Sequence, residues 1–100
     1  MIKHLVFWKL KETAEGSDKA GNGAKIKRMI EALAPLIPGV ICLEVGFNFT
    51  QSDTASDVAL YSEFESKDAL ETYQKHPEHI KVAEFVRQVT LERRVVDYEA

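Results

Sequence analysis

Side chains alternate along the opening stretch of the chain. Ile2, His4, Val6, Trp8 and Leu10 fall on one side, and Lys3, Leu5, Phe7, Lys9 and Lys11 on the other. Successive residues of a strand point to opposite faces, so residues 2–11 are predicted to form a strand with one apolar face, carrying His4, and one mixed face. Residues 12–24 then collect turn-prone and small residues, among them Gly16, Gly21, Asn22 and Gly23. Apolar positions next take up helical spacing at Ile26, Met29, Ile30, Leu33 and Ile37, with Lys25, Lys27, Arg28 and Glu31 facing out. The spacing predicts a helix over 18–36, weakened at its start because Gly21 and Gly23 each cost about 1 kcal/mol relative to alanine. Pro35 lies at its end, and Pro38-Gly39 supply the stop.

Residues 40–49 are rich in β-branched and aromatic side chains (Val40, Ile41, Leu43, Val45, Phe47, Phe49) and are predicted as a second strand. Gly46 within it suggests a bulge or a close backbone approach. A polar hairpin loop at 50–56 leads to a third strand at 57–65. Ser66 is placed to cap a helix that carries Leu70 and ends near Lys75. A second helical piece runs from Pro77 to about Thr90, with Ile80, Ala83, Phe85, Val86 and Val89 as its apolar positions, and 91–98 closes the chain as a fourth strand. The order β-α-β-β-α-β specifies an α+β, ferredoxin-like sandwich: a four-stranded antiparallel sheet with the helices on one face. The strands are apolar on nearly both sides, since Leu5 and Phe7 oppose Val6 and Trp8, and Cys42 opposes Leu43. An antiparallel sheet of that kind needs cover on its second face as well, and with no residues left over the natural cover is another copy of the chain.

At 100 residues the chain makes one domain, 1–100, with no internal linker or repeat. The net charge of −3 gives no pull toward nucleic acid or an anionic membrane, and no apolar run approaches the ~20 residues that span a bilayer. The N-terminus lacks the features of a signal peptide. The single cysteine, Cys42, excludes an intrachain disulfide, so a cytoplasmic location is expected, with Cys42 itself in the core. No metal-site spacing, phosphate-binding loop or dinucleotide turn is present, and no cofactor is expected.

The segment Tyr73-Gln-Lys-His76-Pro77-Glu78-His79 carries the densest chemistry. Proline has no N–H and pushes its predecessor out of the α conformation, so His76 should end one helix or cap the next. His79 then sits in the first turn of the new helix, where the positive end of the helix dipole disfavours imidazolium. A neutral imidazole suits a general base, and the Tyr73 hydroxyl could donate a hydrogen bond to a developing enolate. The alternatives are structural: His79 packing at the junction, Tyr73 packing on the sheet. His76, His4 and Trp8 are candidate pocket-lining residues, although His4 and Trp8 also fit the core and His76 fits a cap. The three histidines lack i, i+4 spacing and a completing carboxylate, so no metal site is expected. Arg93-Arg94 alternates faces and reads as a solvated edge or a dimer rim.

Over essentially its whole length the chain resembles the stress-responsive dimeric α/β-barrel (Dabb) family. The resemblance rests on Lys3-His4-Leu5-Val6, on Ile37-Pro38-Gly39-Val40 with Glu44-Val45-Gly46, on Arg94-Val95-Val96-Asp97-Tyr98 and above all on Tyr73 with His76-Pro77-Glu78-His79. It implies two ferredoxin-like sheets meeting in a homodimeric barrel. Some plant members are stress-induced stable oligomers, and one is a polyketide cyclase using a tyrosine and a histidine as acid and base. Matched by motif, these are Tyr73 and His79, with His4 as the strand histidine. A further histidine on that cyclase's third strand is replaced here by Val58 or Ala59. The resemblance therefore implies a small apolar pocket binding a small hydrophobic or aromatic metabolite. Its alternatives are a cofactor-independent cyclase or lyase and a purely structural dimer, with a monooxygenase role behind both.

Overall fold

The computed structural model of the chain describes residues 1–100. The elements are β1 (Ile2–Leu10), a small hairpin of β2 (Thr13–Ala14) and β3 (Ser17–Asp18), α1 (Lys19–Glu31), a 3-10 turn (Ala34–Leu36), β4 (Val40–Phe47), β5 (Val58–Phe64), α2 (Lys67–Lys75), α3 (Pro77–Val89) and β6 (Thr90–Glu99). The four long strands make one antiparallel sheet in the order β4-β5-β1-β6. This is the ferredoxin-like α+β fold that the element order specifies. No helix is long and apolar enough to cross a membrane.

β1 realises its alternation without a break, every even-numbered residue being buried. Those residues face the helices. Val6 and Leu10 of β1, Leu60 and Phe64 of β5, Ile26 and Ile30 of α1, and Val82, Val86 and Val89 of α3 share one apolar core with Leu70 and Tyr73 of α2. Each large aliphatic or aromatic side chain so buried contributes about 1.5–3 kcal/mol. The opposite face of the sheet carries no helix. Across its middle run Tyr61, Leu5 and Val96 in one row and Ala59, Phe7 and Arg94 in the next. Lys3–Glu63 at 3.8 Å and Lys9–Glu92 at 3.4 Å flank them.

The helices start where short polar side chains take up otherwise orphaned amides. Asp18 Oδ1 accepts the Gly21 N–H at 2.9 Å, and Ser66 Oγ accepts the Ala69 N–H at 3.1 Å. α1 is also tied to the sheet edge. Glu31 accepts the Val45 N–H at 3.0 Å, while Lys27 donates to the Val45 carbonyl at 2.7 Å and to Glu31 at 2.7 Å. The Lys27 ammonium, first, and the Val45 amide hold the Glu31 carboxyl below its ordinary range.

Several expectations are corrected. The helix predicted over 18–36 stops at Glu31, because Pro35 cannot donate and restricts the residue before it, so the chain closes in a 3-10 turn. The bulge lies between Val40 and Cys42, whereas Gly46 pairs regularly with Ala59. Cys42 is not in the core: it lies half-buried on the outer face opposite Glu63. Ile80 is 46% exposed and Val82 is buried, since the inward stripe of α3 runs through Val82, Val86 and Val89.

Candidate functional site

α2 and α3 are separated by one non-helical residue. His76 has φ −65° and ψ 135°, and its ring Nδ1 accepts the Glu78 N–H at 3.1 Å, capping α3 with Pro77 at the first position. The backbone is kept continuous across the break: His76 N–H donates to the Tyr73 carbonyl at 3.2 Å and its own carbonyl accepts from Ile80 at 3.0 Å. Tyr73, in the last turn of α2, and His79, in the first turn of α3, are thereby turned onto each other, with ring centroids 4.4 Å apart at 54°. Phe64 stacks behind Tyr73 at 4.9 Å and meets His4 edge-on at 6.3 Å.

These groups border a cavity of about 440 Å³ between α3 and the helix side of the sheet. Val6 and Leu60 form its floor, and Val82, Ala83 and Val86 its opposite wall, with Trp8, Thr90, Arg87 and Arg93 toward one end. His4, only 3% exposed, pairs through Nδ1 with Asp97, its register partner on β6. A carboxylate only accepts, so His4 Nδ1 carries a hydrogen and Nε2 is the ring nitrogen the chain leaves unclaimed. The same logic applies to His79: its Nδ1 lies 3.2 Å from the Gln74 carbonyl, which again only accepts, leaving Nε2 free. The Tyr73 hydroxyl has no partner within the chain. No sealed side-chain polar atom lacks a partner, so this hydroxyl reaches the cavity rather than being shut into the core.

Protonation states follow from the surroundings. Burial pushes the Tyr73 phenol well above its ordinary range, so it remains a hydrogen-bond donor. Burial also pulls the His79 imidazole below its ordinary 6.5, aided by the nearby Arg93 charge and opposed by the hydrogen bond to the Gln74 carbonyl. The site thus pairs a protonated phenol with a neutral imidazole at pH 7. The predicted neutral state of His79 rested on the helix dipole; burial of the ring acts in the same direction.

Of the residues singled out in the sequence, His4, Trp8, Tyr73 and His79 are brought around one cavity. His76, expected to line the pocket, does not, because its ring is turned back onto the backbone as a cap. Neither Val58 nor Ala59 borders the cavity; the β5 residue that does is Leu60. Sequence reasoning missed Asp97, Arg87 and Arg93. Arg87 follows His79, Val82, Ala83 and Val86 at helical spacing, a signal that extending the stripe would have found. Arg93 has the parity of Trp8, its register partner, and so borders the cavity while staying solvent-exposed on the edge strand β6.

A small α+β domain with acid–base side chains gathered at a helix break beneath an antiparallel sheet is the class that fold and site define. The chain belongs to the stress responsive A/B barrel domain (Dabb) family, whose model matches residues 2–100. Among solved structures it is similar to a dimeric protein of unknown function with a ferredoxin-like fold from Bacteroides fragilis NCTC 9343. That match has 33% identity, covers 99% of this chain and 95% of the other, and has a TM-score of 0.85. It shares its fold with a Dabb family protein from Mesorhizobium loti MAFF303099, at 21% identity, 99% and 95% coverage and TM-score 0.78. It also shares it with the hydroxynitrile lyase of Passiflora edulis, at 16% identity, 97% and 90% coverage and TM-score 0.80. No curated protein matches the chain.

A depressed imidazole means that the unfolded state binds the proton more readily. The contribution of His79 to stability is therefore fully present above about pH 6.5 and is lost as pH falls below it. Two-dimensional NMR of the imidazole signals should show His79 titrating below pH 6.5 as the Nδ1–H tautomer. Protonation persisting above pH 7 would contradict the assignment.

Proposed function

We propose that the protein is a homodimeric Dabb-domain protein whose helix-side cavity binds a small organic molecule. The observation that carries this reading is the convergence of Tyr73, His79 and His4 on one largely apolar cavity, each with a polar atom unclaimed by the chain. A volume of about 440 Å³ lies within the range of small-molecule sites, and apolar walls with a few fixed polar groups are what orient an aromatic or polyketide-like ligand. The helix-free sheet face supports the dimer. Leu5, Phe7, Tyr61 and Val96 form an apolar centre rimmed by ion pairs, the anatomy of an interface core and rim. The free thiol of Cys42 suits a reducing, cytoplasmic setting.

A second reading is favoured by the Tyr73–His79 geometry: a cofactor-independent cyclase or lyase. In such a reaction a proton leaves a carbon beside a carbonyl for His79 Nε2, and the enolate oxygen accepts a hydrogen bond from the Tyr73 hydroxyl. The enolate carbon then attacks a second carbonyl of the ligand, and the new alkoxide takes the proton from His79, restoring both residues. Cleavage is the reverse sequence, with His79 first taking the proton of the β-hydroxyl. The Asp97–His4 pair holds a second imidazole at the same space. The fold of the hydroxynitrile lyase is compatible with this chemistry.

Three measurements test these readings. Aromatic metabolites added to the labelled protein should shift the amides of Tyr73, His79 and Val86. Ala83→Trp, which fills the cavity, should weaken binding more than tenfold while the protein stays folded; unchanged affinity in that variant would place the ligand elsewhere. Sedimentation at micromolar concentration should give twice the 11.3 kDa chain mass, and a monodisperse monomer would refute the dimer. If the cavity is catalytic, Tyr73→Phe and His79→Ala should each reduce turnover at least about 100-fold with ligand still bound. Turnover retained in both would remove the enzymatic reading.

A further inference from the structure

Arg87 and Arg93 belong to the cavity but have no part in the acid–base chemistry. They reach it from opposite walls, Arg87 from α3 and Arg93 from β6. Arg87 lies two turns beyond His79, about 12 Å further along the helix. Arg93 stands opposite Trp8, and His4 stands opposite Asp97 four residues further along β6, about 13 Å away along the strand. The cavity is thus a slot with the phenol and imidazoles toward one end, the guanidiniums toward the other and Val6, Leu60, Val82 and Val86 between them.

Neither guanidinium has a carboxylate partner within salt-bridge distance. No acid lies beside Arg93 on its own face of β6. Glu92 points to the other face, where Lys9 at 3.4 Å and Arg94 at 3.2 Å hold it, and Asp97 is four residues further along and paired with His4. Both arginines are solvent-exposed and stand at the open side of the cavity, where two unmatched cations in a chain of net charge −3 are a local excess of positive charge. Guanidinium forks match a carboxylate geometrically and form its stronger, charge-assisted hydrogen bonds.

We infer that this end of the cavity is a carboxylate subsite: Arg87 and Arg93 hold the acid group of an apolar organic acid whose other end lies among His4, Tyr73 and His79. The inference rests on the cavity being a ligand site and adds the class of ligand. Thr90, at the same end, supplies a hydroxyl to the same group. The arginines set orientation: the acid is held at the arginine end, and the far end of the molecule is presented to the phenol and imidazoles.

The test compares 4-phenylbutyrate with 4-phenylbutan-1-ol, the same skeleton without the charge, by calorimetry and amide shifts at pH 7.5 and low salt. The acid should bind the whole protein about tenfold or more tightly than the alcohol. That preference should collapse in Arg87→Gln/Arg93→Gln, with alcohol affinity unchanged, and should survive in Arg28→Gln, an exposed change on α1 away from the cavity. Equal binding of acid and alcohol, or a preference that persists in the double variant, overturns the subsite while leaving the cavity as a ligand site. Binding of neither compound at millimolar concentration overturns the subsite and the cavity reading together.

Discussion

The geometry of the cavity depends on the backbone restriction imposed by Pro77. On an unbroken helix Tyr73 and His79 would be rotated about 120° from one another and about 9 Å apart along the axis, and their rings could not meet. Because Pro77 lacks an N–H and excludes the α conformation from His76, the chain bends over one residue and starts a new helix at once. His76 makes the bend inexpensive by capping with its own ring nitrogen. A phenol from the end of one helix and an imidazole from the start of the next are thereby brought into contact beneath the sheet.

Burial then determines the chemistry these rings can offer. The same apolar surroundings that raise the Tyr73 phenol depress the His79 imidazole, because in each case the charged form is the one disfavoured. One environment thus keeps a donor protonated and an acceptor unprotonated side by side. The two faces of the sheet divide the remaining work. The even-numbered residues of β1 build core and cavity, while its odd-numbered residues, with Tyr61 and Val96, leave an apolar face that helices do not cover.

Much of this was legible in the sequence because it follows from local periodicity. The alternation of β1, the break at His76-Pro77 and the pairing of Tyr73 with His79 depend on neighbours a few residues away. What escaped depends on long-range register. Asp97 meets His4 only because β6 lies antiparallel to β1, and nothing within either strand announces the partner. Arg87 and Arg93 are exposed charges, and that they border one cavity appears only when α3 and β6 are seen side by side. The hairpin of β2 and β3 is too short to carry a periodic signal. Ile80 and Val82 are equally plausible core residues until the start of α3 sets the phase of its buried stripe.

The grip of α1 on Val45 has a consequence for how copies of the sheet can meet. β4 is an edge strand, and an edge strand ordinarily offers a row of unsatisfied amides to any extended chain that comes alongside. Here Glu31 occupies the outward N–H of Val45 and Lys27 its outward carbonyl, in the middle of the strand. An incoming strand would have to displace an ion pair before completing a ladder. The helix therefore acts as a stopper against sideways templating at this border of the sheet.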